Sequence, residues 1–137
     1  MDNKELARVV GRYIGCECQI DMYDCNVIEK IAGYFDTTIL TVFDGAVSIV
    51  KIEKVHLILR SINKISEEEL AEIIEMCSRR PQYSAIDLAF ITKETLIDSL
   101  KSDSIWHRVV DKLRGFDIDC DGLIESGVAI EKPCQNQ

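Results

Sequence analysis

The chain has 137 residues, with 16 basic and 24 acidic side chains and a formal net charge of −8. That length can bury a core without disulfides or metal, and that charge disfavours direct contact with phosphate backbones and anionic lipid surfaces. With 47% hydrophobic and 29% charged residues and only two prolines, the composition is that of an ordinary globular domain and excludes fibrous and disordered classes.

Met1 to Val10 carries Asp2, Lys4, Glu5 and Arg8, and no stretch of about 18 uncharged apolar residues follows anywhere. Neither a secretory signal nor a membrane span is therefore expected, and the expected location is cytoplasmic. A short helix over Asp2 to Val10 fits Asp2 as its cap, after which Gly11 and Gly15 loosen the pattern. From Cys16 to Met22 apolar residues alternate with Glu17, Gln19 and Asp21, the period of a half-buried strand.

Val27 to Tyr34 and Thr37 to Phe43 are further strands rich in β-branched residues. Asp44-Gly45 then supplies the positive φ angles of a tight turn, so Thr37 to Phe43 and Ala46 to Ile52 should pair as an antiparallel hairpin. Val55 to Ile62 is a further apolar run, too short for its period to separate strand from helical turn.

The pattern changes at Ser66. Ser66 with Glu69 forms a capping box, and Leu70, Ile73, Ile74 and Cys77 recur at helical spacing up to Arg79-Arg80-Pro81. A helix from Glu67 to Arg79 follows. Tyr83 to Ile91 is read as a returning strand, Thr92 as the cap of a short helix carrying Leu96, Ile97 and Leu100, and Asp103 as the cap of another. That last helix places Ile105, Trp106, Val109, Val110 and Leu113 on one side and ends near Gly115, with Trp106 expected in the core.

Strands first and helices after predict an α+β fold: an N-terminal antiparallel β-sheet, able to curl into a small SH3-like barrel, followed by C-terminal helices. No repeat or linker divides the chain, so residues 1–137 are read as a single domain, mainly β over 1–63 and mainly α over 64–137.

Several side-chain groups could carry chemistry. The six cysteines (Cys16, Cys18, Cys25, Cys77, Cys120 and Cys134) are read as reduced thiols. Their spacings offer only Cys16-x-Cys18, which on a strand puts two small hydrophobes on one face rather than building a zinc site. Asp117, Asp119 and Asp121 followed by Gly122 begin like a calcium loop, but Val128 stands where the bidentate glutamate belongs. A polar turn without useful calcium affinity is expected, and no metal or cofactor. Gly-rich phosphate loops, nucleophile elbows and paired metal-binding histidines are missing from the sequence, and His56 and His107 have no partner at a diagnostic spacing. The acidic run on the first long helix is the remaining surface feature, with Glu68, Glu72 and Glu75 on its polar side.

Trp106, Val109-Val110, Lys112-Leu113, Phe116-Asp117, Gly122-Leu123-Ile124-Glu125, Gly127 and Ala129-Ile130 together form a pattern that resembles the ending of a group of uncharacterised small proteins of phages and prophages of gut bacteria. Leu57 to Ile62 is similar to the same group's upstream apolar stretch. The resemblance implies a phage-derived protein acting in the host cytoplasm, with Trp106, Leu113, Phe116 and Ile124 packed together as fold residues. The function expected is that of a small, acidic, non-enzymatic interaction protein. It would bind or inhibit a host protein through a basic surface on that protein, in the manner of an anti-defence factor or nucleic-acid mimic, with Glu68, Glu72 and Glu75 as the binding residues. Acids from Asp117 to Glu131 would join that face if the two segments lie side by side. The alternative is a small-ligand or metal-binding module.

Overall fold

The structure is a computed structural model that describes residues 1–22, 25–82, 84–102 and 105–133. Helix α1 (Asn3–Val10) is capped by Asp2, whose carboxylate accepts from the Glu5 N–H at 2.8 Å. Gly11 then permits a close approach: a Cβ there would lie 2.4 Å from the Tyr34 ring, so only glycine lets the end of α1 settle on the sheet.

Five strands follow or precede short turns: β1 (Glu17–Asp21), β2 (Asn26–Phe35), β3 (Thr38–Phe43), β4 (Ala46–Lys51) and β5 (Val55–Leu59). Asp44 and Gly45 have φ of 50° and 81°, which gives the turn the left-handed backbone expected of Asp-Gly and joins β3 to β4 in register from Phe43↔Ala46 to Thr38↔Lys51. Alternation decides the buried face: Cys18 and Ile20 on β1 and Val55, Leu57 and Leu59 on β5 point inward. Cys16 and Cys18 are both buried, and the Cys16 thiol donates to the Arg114 carbonyl at 3.1 Å.

The second half builds α2 (Glu67–Ser78), α3 (Ala85–Ala89), α4 (Lys93–Lys101), α5 (His107–Gly115) and a two-residue strand β6 (Ile130–Glu131). The sheet order is β4-β3-β2-β1-β5-β6, antiparallel except for the parallel β5–β6 pair. The fold is therefore α+β, with an N-terminal, mostly antiparallel sheet followed by helices. The sheet is not closed into a barrel.

Four details differ from the sequence-based expectation or settle what it left open. The stretch read as a returning strand from Tyr83 to Ile91 contains α3, because Ser84 and Asp87 form a reciprocal capping box: the Asp87 N–H donates to the Ser84 hydroxyl at 3.2 Å and the Ser84 N–H to the Asp87 carboxylate at 2.8 Å. Tyr83 itself, like the proposed cap Asp103, lies outside the described residues. Val55 to Ile62 divides into β5 and a 3-10 turn at Ile62–Lys64. Strand β6 was not foreseen.

Trp106 is the fourth difference. It sits at the N-cap of α5, half-buried, with the Arg80 guanidinium 4.3 Å from the ring centroid, instead of within the helix's buried stripe. An indole held under a cation at a surface rim leaves the core to Val109 and Leu113. Trp106, Leu113 and Phe116 do share one apolar cluster with Ile73, Cys77 and Leu96, whereas Ile124 packs against the sheet's cluster.

Burial depth sets the mutational order. Leu113→Ala, at a fully buried position, should destabilise by about 2–5 kcal/mol, and Trp106→Ala by roughly 1–3 kcal/mol. Urea unfolding monitored by far-UV circular dichroism measures both, and a larger loss for Trp106→Ala would reverse this assignment.

Candidate functional site

Arg60 follows the last buried residue of β5 and turns its guanidinium toward two segments distant in sequence. Its Nη1 and Nη2 donate to the two oxygens of Glu69 at 3.0 and 2.5 Å, Nε donates to Asp117 at 2.6 Å, and Nη2 also donates to the Phe116 carbonyl at 2.6 Å. Glu69 simultaneously closes the capping box of α2, accepting from the Ser66 N–H at 2.9 Å. The second oxygen of Asp117 accepts from Lys132 Nζ at 3.1 Å. Backbone bonds reinforce the junction: the Arg60 N–H donates to the Asp117 carbonyl and the Asp119 N–H to the Arg60 carbonyl, both at 2.8 Å.

This junction forms one wall of a cleft of about 840 Å³ whose lining also includes Cys16, Glu17, Lys30, Lys64, Glu68 and Lys132. The hydrogen bonds that Arg60 donates to Glu69, opposed by burial and then aided by Asp117, hold its guanidinium above its ordinary pKa. Burial would raise the pKa of Glu69, but its bonds to Arg60 and Ser66 outweigh that and lower it.

The three aspartates that resemble a calcium loop are drawn in three directions. Asp117 meets Arg60 and Lys132, as described. Asp119 accepts from the N–H groups of Asp121, Leu123 and Ile124 at 3.2, 2.9 and 2.9 Å, which organises the turn itself. Asp121 accepts from the Tyr13 hydroxyl at 2.6 Å and from Arg114 at 3.1 and 3.3 Å. Tyr13 in turn accepts from the Cys120 N–H at 3.1 Å, and burial, with Asp121 beside it, raises its pKa. Among the described residues no group of three or more His, Cys, Asp or Glu side chains is placed to hold a metal ion.

All five described cysteines are free. Burial pushes the pKa of Cys16 up to about 11 and those of Cys18 and Cys120 up to about 12, so these thiols stay protonated at neutral pH. His56, for which the sequence offered no partner, lies 2.9 Å from Asp21 across the β1–β5 pair. The register that sets His56 opposite Gln19 was the missing information.

Glu68, Glu72 and Glu75 lie on the exposed side of α2, opposite buried Ile73 and Cys77. Glu75 pairs with Arg79 at 3.1 Å, and Glu68 reaches the lip of the cleft. In the second acidic segment Asp117, Asp119 and Asp121 accept internal hydrogen bonds, whereas Glu125 is exposed and Glu131 lies 3.6 Å from Lys64. Compared with protein-family models, curated proteins and solved structures, the chain matches none. No helix among the described residues is long and apolar enough to cross a membrane.

Removing Arg60 leaves Glu69 without its cation, Asp117 with Lys132 alone, and the Phe116 carbonyl without the guanidinium donor. Arg60→Ala should therefore destabilise by about 3 kcal/mol, and Arg60→Lys should recover only part of it, since an ammonium cannot reproduce the fork. Glu69 has a lowered folded-state pKa, so its contribution is present above the ordinary glutamate pKa and fades as pH falls through the depressed value. Glu69→Gln should flatten that acid limb in chemical denaturation across pH.

For the turn at Asp117 to Glu125, calorimetric titration with calcium should give a dissociation constant weaker than about 100 μM. Asp117→Asn should lower the thermal midpoint by loosening Arg60, with no change in calcium heat.

Proposed function

We propose that this protein is a small non-enzymatic interaction protein acting in the cytoplasm, a phage-derived factor that binds a host protein through a basic surface on that protein. The observation that carries this reading is the solvent-facing row of Glu68, Glu72 and Glu75 on a helix whose first turn is pinned by Arg60. The carboxylates of Glu69, Asp117, Asp119 and Asp121 are engaged by internal donors, whereas Glu68, Glu72 and Glu75 are exposed, Glu75 beside Arg79. A preoriented acidic row attracts a basic partner over a Debye length of about 8 Å at physiological salt and sets its orientation on docking.

The absence of a catalytic role is supported by the same geometry. Arg60 and Asp117 in the cleft are committed to each other and to Glu69 and Lys132, and the Cys16 thiol there is raised by burial away from the thiolate form. The alternative, a small-ligand site, is favoured by the size of the cleft and by Lys30, Lys64 and Lys132 on its lining.

The triple variant Glu68→Lys, Glu72→Lys, Glu75→Lys changes exposed positions and should keep the thermal midpoint within a few degrees. Partner capture from host lysate should fall at least tenfold in quantitative mass spectrometry, and capture by the parent should weaken as salt rises. Identical recovery by parent and triple variant at both low and moderate salt would refute recognition through α2.

A further inference from the structure

Strand β4 is the outermost strand of the sheet, and among the described residues nothing pairs with its outer side. In a hairpin with a two-residue turn the closing pair, here Phe43↔Ala46, is hydrogen-bonded, and bonded pairs then alternate. Ala46, Ser48 and Val50 thus direct their backbone groups to β3, leaving the N–H and C=O of Val47 and Ile49 aimed outward from the sheet.

Edge strands are ordinarily guarded by a charge, a proline or a bulge. From Ala46 to Val50 there is no charged residue and no proline, and the β3–β4 register runs without a shift. Val47 and Ile49 are 65% and 74% exposed, and they stand opposite Val42 and Leu40 on β3. An open backbone edge and an apolar row coincide on one strand.

We propose that β4 pairs antiparallel with β4 of a second copy of this chain, about a two-fold axis at Ser48. The occupant follows from the strand's own order. With Ser48 opposite Ser48 of the second copy, Val47 meets Ile49 twice, Ala46 meets Val50 twice, and Lys51 falls opposite Gly45, next to Asp44 of the second copy's turn. Apolar residues match on both faces and opposite charges meet at the ends. Sliding the register by two residues sets Lys51 against Val47 in one direction or Gly45 against Ile49 in the other, and a slip of one residue exchanges the faces.

Each copy carries a charge of −8, so the copies repel and their association should tighten as salt screens them. That dependence is opposite to the one expected for capture of a basic partner by α2, and the two surfaces fail independently.

Sedimentation velocity on the full chain, at low and moderate salt and up to about 100 μM, should show the mass doubling with concentration, at lower concentration in the higher salt. Ile49→Lys, at an exposed position, should keep the parent's circular dichroism and thermal midpoint and remain a monomer throughout. The register is read separately in a Cys25→Ser, Cys134→Ser background. There Ser48→Cys should cross-link the two copies on mild oxidation, since a directly opposed non-bonded pair has Cα atoms about 4.5 Å apart, within disulfide reach. Ala46→Cys should cross-link at least tenfold less. A parent that stays monomeric, a dimer that survives Ile49→Lys, or equal cross-linking at the two positions would overturn the proposal.

Discussion

A half-buried guanidinium must find acceptors for its donors or forfeit its hydration, and much of this molecule's arrangement follows from how Arg60 meets that requirement. Its acceptors are the first turn of α2 through Glu69 and the turn after α5 through Phe116 and Asp117. One planar group thereby ties the end of β5 to two segments of the second half, and β6 extends the same junction through the Lys132 N–H donating to the Leu59 carbonyl at 2.7 Å. Desolvation offsets much of the Coulombic gain in such a network, while loss of one partner leaves the others uncompensated.

The acidic side chains divide by reach and position. In the turn after α5, the short side chains of Asp119 and Asp121 lie close to backbone N–H groups and to the buried Tyr13 and Arg114, and they organise the turn from within. On α2, Glu68, Glu72 and Glu75 project from the face opposite Ile73 and Cys77, where water solvates them. Glu69, one position from Glu68, is instead part of the Arg60 junction, because the third position of the capping box points back toward Ser66 and, beyond it, Arg60.

Two of the exposed surfaces differ in physics. The exposed side of α2 acts at long range and loses strength with salt. The β4 edge acts at contact through backbone donors and acceptors that already lie in strand geometry, with Val47 and Ile49 adding apolar area. The first belongs to the helical half and the second to the far edge of the sheet.

What the sequence determined by itself are the features set by neighbours a few residues apart. Asp44-Gly45 carries its hairpin, Ser66 with Glu69 its helix start, and the alternation from Cys16 to Met22 its buried face as far as Ile20, Met22 being exposed. The α3 capping box of Ser84 and Asp87 was equally local, but the apolar run around it pointed to a strand. What only the tertiary structure decided are contacts between residues far apart in the chain: Arg60 with Asp117, 57 positions away, Tyr13 with Asp121, 108 away, and His56 with Asp21 across a strand pair. The depth of Trp106 belongs with these. A carboxylate's spacing along the chain limits where it can point, but the cations and N–H groups that fix its direction arrive only when distant segments pack, and no local period encodes that meeting.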